Sequence, residues 1–380
     1  MKFARILAAA FDVATFAAIG YAVVAIASIG RFGRREPDPD PVDHLPDVSL
    51  LVPLHGAEPG LEENLRAFAL QDYPGYQLVL GVARADDSAL AIAQRVAADL
   101  PDRNIEIDVG EFPGARNPKI ANVLSMMRLV RHKMLILADS DTRVNPRYIR
   151  SVTAPLHEAD VGVVTCLFAG VPDGSFSSRL GAMFMNEQFI PSVLVNRLFG
   201  PQRHCLGPTN AVRSPVLSSV GGFEALAPHL ADDFMLGNFI AARGLRVVIP
   251  RYVVRTMVSD SSLETLWNHE LRWHRTIRGV QPAGYAGMFL TYPVPLALLA
   301  FVLAPGPRRF AALCVAVLAR IVLQRVSARA LGVVPASTWL VLPRDLFGIA
   351  VWACGLGGKA VRWRDADLHM ETGDMLAERH

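Results

Sequence analysis

The sequence has few cysteines, and those few do not form a pattern. The four, Cys166, Cys205, Cys314 and Cys354, lie far apart, with no CxxC or CxxH spacing among them. That excludes a disulfide framework and a cysteine-based zinc site, and it suits a reducing environment. An excess of one charge sign is also missing. The net charge is +3, so no broad basic face is implied and nucleic acid is not expected as a partner. No internal repeat of the solenoid kind is visible. What the chain does have is apolar residues, 52% of its 380 positions, more than a purely soluble enzyme needs. They are concentrated in particular segments, so membrane segments are sought first.

Residues 6–30, ILAAAFDVATFAAIGYAVVAIASIG, are apolar apart from Asp12. At ~1.5 Å per helical residue the run crosses the ~30 Å of bilayer hydrocarbon. It is too long, and lacks a clear small-residue cleavage site, to be read as a signal peptide. Arg31, Arg34 and Arg35 follow, which marks that end as cytoplasmic by the positive-inside rule. A Pro/Asp-rich linker completes residues 31–47. Near the other end, residues 286–304 carry no charge and are expected to span. A second run, RFAALCVAVLARIVLQRV, is interrupted by Arg320. A third, STWLVLPRDLFGIAVWACGLGG, carries Arg344 and Asp345 and is expected either to span or to re-enter, because Pro-Arg-Asp at bilayer depth is costly. Two spans plus a re-entrant segment leave the basic tail, residues 359–380, on the cytoplasmic side with the body of the protein.

Between residues 48 and 260 short apolar strands alternate with helical patterns. VSLLVPL, YQLVLGVA, IEIDVG, MLILAD and DVGVVTCLF read as strands; EENLRAFALQ, SALAIAQRVAADL and KIANVLSMMRLV read as helices. This predicts an α/β domain with a doubly wound, mostly parallel sheet, whose ligands bind at the carboxyl ends of the strands.

Acidic residues cluster where such an edge would lie. Asp139 and Asp141 follow LILA, and two carboxylates two positions apart can share a hard cation such as Mg²⁺ or Mn²⁺ together with substrate phosphates. The same DSDTRVNP segment also has good turn and cap chemistry. Asp86 and Asp87 follow a predicted strand, where a carboxylate can accept hydrogen bonds from a nucleotide or cap the next helix. Asp232 and Asp233 precede a helical run, where the helix dipole favours the ionised form and suits a general base. Lys119 can neutralise phosphate near a helix start, or be only a solvated charge. In WNHELRWHRTIRG, His269, Arg272 and Trp273 share one helix face, placed to clamp a leaving diphosphate and stack on a sugar or base. An amphipathic membrane-surface helix over 261–285 reads the same residues differently.

The order DD…DSD…DD…HELRW between membrane segments resembles membrane-bound glycosyltransferases of the GT-A fold, and among them the ceramide glucosyltransferase group. PLHGAEPGLEENL, LADSDTRV, VGVVTCLF, HLADDF, HELRWHRTIRGVQPAGYAG and PRDLFGIAVW are most similar to its bacterial hopanoid-associated branch; the likeness covers about residues 46–365. The resemblance implies that Asp87, with Asp86 adjacent, holds uridine, and that Asp139 and Asp141 hold the metal and the donor diphosphate. It implies that Asp233 is the base and that His269, Arg272 and Trp273 stand for the family's Gln/Arg-x-x-Arg-Trp motif. Arg84 and the segment GPTN (207–210) depart from the family pattern, which bears on the nucleotide contact and on acceptor identity respectively. The implied partners are UDP-glucose or UDP-N-acetylglucosamine, a ceramide or hopanoid-polyol acceptor, and the bilayer of a bacterial inner membrane. The implied layout is a membrane helix over 1–30, the linker 31–47, a cytoplasmic GT-A domain over 48–260, the interfacial helix, and a membrane or re-entrant region over 286–358. A processive polysaccharide synthase would need more spans than the chain offers. A nucleotidyltransferase would have no use for the HELRW helix.

Overall fold

The computed structural model describes residues 2–36, 45–358, 360–363, 366–370 and 374–377. Residues 37–44 of the expected linker, and part of the tail, lie outside them. The chain divides into two compact units. A sheet unit comprises Glu36–Phe168, Pro201–Met257 and Met370–His380; a helical unit comprises Met1–Arg35, Ala169–Gly200 and Val258–His369. Residues 169–200, within the stretch read from sequence as one α/β domain, group with the membrane-type helices.

The strands in chain order are β1 (Val48–Leu54), β2 (Tyr76–Val82), β3 (Ile105–Val109), β4 (Met134–Ala138), β5 (Thr142–Arg143), β6 (Val161–Thr165), β7 (Leu167–Pro172), β8 (Thr209–Arg213), β9 (Arg246–Val248) and β10 (Val253–Val258). Seven of them form one sheet in the order β3-β2-β1-β4-β8-β6-β9. β1 is buried at every position, as a strand covered on both faces must be. Its Pro53 lies beyond the register of β4, which ends at Leu51 opposite Leu137, so the missing N–H breaks no ladder bond on that side. The sheet is mixed. β8 runs antiparallel to both β4 and β6, with Thr209 opposite Ala138 and Val212 opposite Val163. This strand brings the segment before Thr209 to the carboxyl end of β4. The small pair β5–β10, with Thr142 opposite Thr256, holds the chain just past Asp141.

In the helical unit the helix Lys2–Gly33 packs on the helices Pro293–Leu303 and Pro307–Leu331. Gly33 allows close approach: a Cβ there would lie 2.8 Å from the Ala330 Cβ. Asp12, the one charge in the first apolar run, pairs with Arg309 at 2.7 Å. Phe3–Gly33 and Pro307–Leu331 are each long and apolar enough to cross a membrane. The run expected to span over 286–304 is not one straight helix. The helices there, Pro282–Thr291 and Pro293–Leu303, are bent by 64° at the intervening residue. Pro293 has no N–H to continue the helix and pushes Tyr292 out of helical geometry, to φ −116° and ψ 64°. The helix Val341–Gly355 has 15 residues, about 22 Å, which falls short of the ~30 Å core.

Candidate active site

The carboxyl edge of the parallel strands carries the acidic residues. Asp139 directly follows β4, and its backbone N–H donates to the Pro208 carbonyl at 3.3 Å, the contact that β8 makes possible. The turn is tied down from three sides. The Ser140 hydroxyl donates to Glu58 Oε2 at 3.0 Å, the Asn64 side chain donates to the Ser140 carbonyl at 3.0 Å, and the Asp141 carbonyl accepts from the Met257 N–H at 3.0 Å. The Asp141 Oδ1 atom is buried.

A buried strand end with two aspartates needs a cation, and here Lys119 supplies one. Its Nζ lies 2.7 Å from Asp139 Oδ1 and 3.4 Å from Asp232 Oδ2, with only 13% of the side chain exposed. Lys119 is therefore not a solvated surface charge. Its helix, Pro118–Met126, starts with an Asn117 cap that accepts from the Lys119 and Ile120 N–H groups and with Pro118 at the first position. A cation at a helix N-terminus has the wrong sign for the dipole. Burial also opposes its charge, but Asp139, Asp232 and Asp233 outweigh both effects and hold the ammonium well above its ordinary pKa.

Asp232 and Asp233 open the helix Asp232–Ala242, so neither is its cap; the cap position is Ala231. Asp232 is held by Lys119 and by the Asn117 amide at 3.4 Å. Asp233 is pushed up to about 7 by burial and by the neighbouring Asp232, with Lys119 pulling the other way. Its height is set by a glycine one turn on, on the same helix face. A Cβ on Gly237 would stand 2.4 Å from the Cys205 nitrogen and 2.5 Å from the His204 Cα, so only glycine lets the helix press on that backbone. At Gly207, just beyond, a Cβ would meet Asp139 Oδ2 at 3.2 Å and Asp233 Oδ2 at 3.7 Å. Gly207 thus borders both carboxylates.

Asp87 caps the helix Ser88–Asp99 through the Ala89 N–H at 2.8 Å, and also accepts from the Gly56 N–H at 2.9 Å, with His55 Nδ1 at 3.6 Å. It joins the loop after β1 to the loop after β2. Asp86 lies in solvent, paired with Arg84 at 2.7 Å. The structure thus brings together Lys119, Asp139, Asp232 and Asp233. Asn117 and Gly207 belong with them, and His55 stands beside Asp87; all three are missed by reading the sequence alone, and the Asn-Pro-Lys cap signature is the one signal that points to Asn117.

His269, Arg272 and Trp273 lie in the helical unit, on the helix Leu263–Val280 that begins with a Ser262/Thr265 capping box. Its inward stripe is Leu266, Glu270 and His274, and the three motif residues flank it, half-buried. His269 Nδ1 lies 3.3 Å from Asp260, and the Trp273 ring packs edge-on against Phe189, Phe184 and His269.

The donor set suits a hard divalent cation. It is all carboxylate oxygen, with glycine rather than a side chain beside Asp139 Oδ2. Among the described residues no three His, Cys, Asp or Glu side chains form a cage for a metal.

By sequence the chain is similar to ceramide glucosyltransferase 1 of Caenorhabditis elegans, 24% identical over 264 residues, 68% of this chain and 55% of that protein. It is also similar to ceramide glucosyltransferase 3 of that organism, 22% identical over 237 residues, 60% and 50% of the two chains. The match spans about half the length of these relatives. In fold it is similar to a mannosyltransferase from Pyrobaculum calidifontis solved with GDP-Man and Mn²⁺, with a TM-score of 0.55, 18% identity, and 93% of this chain and 97% of that chain covered. The architecture is a GT-A glycosyltransferase fold. The sequence profile of glycosyl transferase family 21 matches residues 10–376, nearly the whole chain, and the chain belongs to that family.

Proposed function

We propose that this glycosyltransferase moves a hexose, glucose or N-acetylglucosamine, from a UDP-sugar to a lipid hydroxyl by a single inverting displacement at the membrane surface. The observation that carries the reading is the Lys119–Asp139–Asp232–Asp233 cluster at the carboxyl edge of the sheet, in a chain that also has helices able to cross a bilayer. Asp87 and the 55–57 loop it fixes hold the nucleoside. Asp139 and Asp141 are the residues that would hold a divalent cation, which would supply Lewis-acid neutralisation of the leaving group. Lys119 and the N-terminus of its helix add positive potential there. Asp232 is occupied by Asn117 and Lys119, which leaves Asp233 to take the proton of the attacking hydroxyl as that oxygen bonds to the anomeric carbon and the bond to UDP breaks. Its raised pKa suits a base working near neutral pH. Arg272 is assigned a fixed cation for the departing diphosphate, His269 a donor, and Trp273 a stacking surface. The acceptor is a membrane amphiphile, ceramide or a hopanoid polyol. Arg31, Arg34 and Arg35 support a cytoplasmic side for the catalytic machinery, and the resemblance to the hopanoid-associated branch supports a bacterial inner membrane.

The test is purified protein in detergent with a panel of UDP-sugars, offered ceramide or bacteriohopanetetrol. A lipid-soluble glycoside with stoichiometric UDP is the expected product. A long polymer, or a nucleotide-sugar with released pyrophosphate, would replace this reading.

A further inference from the structure

The C-terminal residues return to the sheet unit and grip the chain just ahead of Asp233. The Leu230 N–H donates to the Asp374 carbonyl at 2.9 Å, and the Ala231 N–H donates to the Asp374 carboxylate at 3.3 Å. His229 Nδ1 lies 3.2 Å from the other carboxylate oxygen. Leu376 donates its N–H to the Pro228 carbonyl at 2.8 Å, and its own carbonyl accepts from Arg116 at 2.9 Å. Asp374 is 6% exposed and Leu376 1%, so this is a packed segment rather than a strand lying on the surface.

The gripped loop reaches the site through one side chain. The Asn117 amide donates to the His229 carbonyl at 2.8 Å and to Asp232 Oδ1 at 3.4 Å, while the Asn117 N–H donates to the Ala227 carbonyl at 2.9 Å. Asn117 also caps the helix that carries Lys119. The tail thus holds, from opposite sides, the two helix starts that carry the site: residues 228–231 before Asp232 and Asp233, and Arg116 before Asn117 and Lys119. The cap position Ala231 has no polar side chain, and its backbone N–H is held by Asp374, 143 residues away.

We propose that the segment around Asp374 is a positioning element of the active site. It fixes the 228–231 loop and, through Asn117, the relative placement of Lys119, Asp232 and Asp233. The kinetic consequence rests on the reading of Asp233 as the base; the structural consequence does not. A misplacement of an ångström in a reacting group costs up to ~10²-fold in rate, so Asp374→Ala is expected to lower kcat by about 10- to 100-fold while the donor KM stays within about twofold. Asp374→Asn, which keeps an oxygen for the Ala231 N–H, restores most of that rate.

Two measurements on the full-length protein decide it: amide hydrogen exchange over 226–236, and kcat with donor KM. Support is exchange over that loop at least about tenfold faster in Asp374→Ala with β1 still protected, together with the kcat loss and its recovery in the asparagine variant. Unchanged exchange, or faster exchange with wild-type kcat, overturns the proposal. Should Asp374→Ala lose protection throughout β1, Arg116→Gln, which cuts the tie to Leu376, is read by the same criteria. If the wild-type protein transfers no sugar, the proposed function fails, and the exchange measurement still decides whether the tail holds the loop.

Discussion

Two buried charge clusters among the described residues, one in each unit, are built differently. In the helical unit Arg344 makes a two-bond pair with Glu270, at 2.5 and 2.7 Å, while Arg320 binds Asp345 at 3.0 Å and Glu187 at 3.2 Å. Every one of these side chains is at most 4% exposed, and aromatic rings, Phe184 and Phe347, pack against the Arg344 guanidinium at 5.5 and 5.4 Å. In the sheet unit one lysine faces three aspartates, and Asp139 remains 31% exposed. The first set is shut away from solvent, although Arg320 Nη1 and Arg344 Nε find no hydrogen-bond partner among the described residues, and it ties the helices Leu263–Val280, Pro307–Leu331 and Val341–Gly355 together. The second is acidic beyond what its lysine neutralises and is open at Asp139, a condition that suits uptake of a cation.

Mutations separate the two. Asp233→Asn should cut transfer by about 10²- to 10⁴-fold while UDP-sugar binding, read by isothermal titration, stays near wild type. Wild-type turnover would remove the base assignment. In the closed set, Arg344→Leu strands a buried carboxylate and should cost about 3–5 kcal/mol, seen as a lower thermal midpoint in detergent, whereas Arg344→Leu combined with Glu270→Leu should recover much of it. No apolar pair should rescue activity in the open set.

Gly237→Ala comes next. Alanine at a helix interior normally gains up to ~1 kcal/mol over glycine, but here its Cβ meets the 204–205 backbone, so the variant should be less stable and about tenfold or more slower. A stabilised, fully active Gly237→Ala would show that the helix has room to spare. The smallest effect is a shift in pH dependence. The Asp233 carboxyl, raised to about 7, must be ionised to accept a proton, so the rate falls as pH drops through that value. Asp232→Asn removes a repelling neighbour, which favours ionisation and should move this acid limb to lower pH. An unmoved limb would assign it to another group.

Much of the sheet unit was legible in the sequence, because its strands are short apolar runs and its helices are marked by caps. VSLLVPL and MLILA carry the signal in composition, and the segment Asn117-Pro118-Lys119 carries it in cap chemistry. The acidic positions at the strand ends were legible for the same reason. β8 was not, because TNAVR holds two polar residues whose burial depends on neighbours distant in sequence. The break at Tyr292 was hidden in a run whose mean apolarity reads as continuous, although Pro293 is the residue that causes it. The grouping of residues 169–200 with the helical unit, and the return of Asp374 to the loop before Asp233, are long-range contacts that no local pattern announces. Lys119 shows the limit most clearly: its neighbours, and not its sequence context, make it a buried partner of Asp139.

The central claim, that the open acidic cluster works by taking a divalent cation with a UDP-sugar, is tested most directly by following lipid glycoside formation in detergent across an EDTA titration. Transfer should be lost with excess EDTA and recover on adding Mn²⁺ or Mg²⁺. Transfer undiminished by EDTA would contradict it.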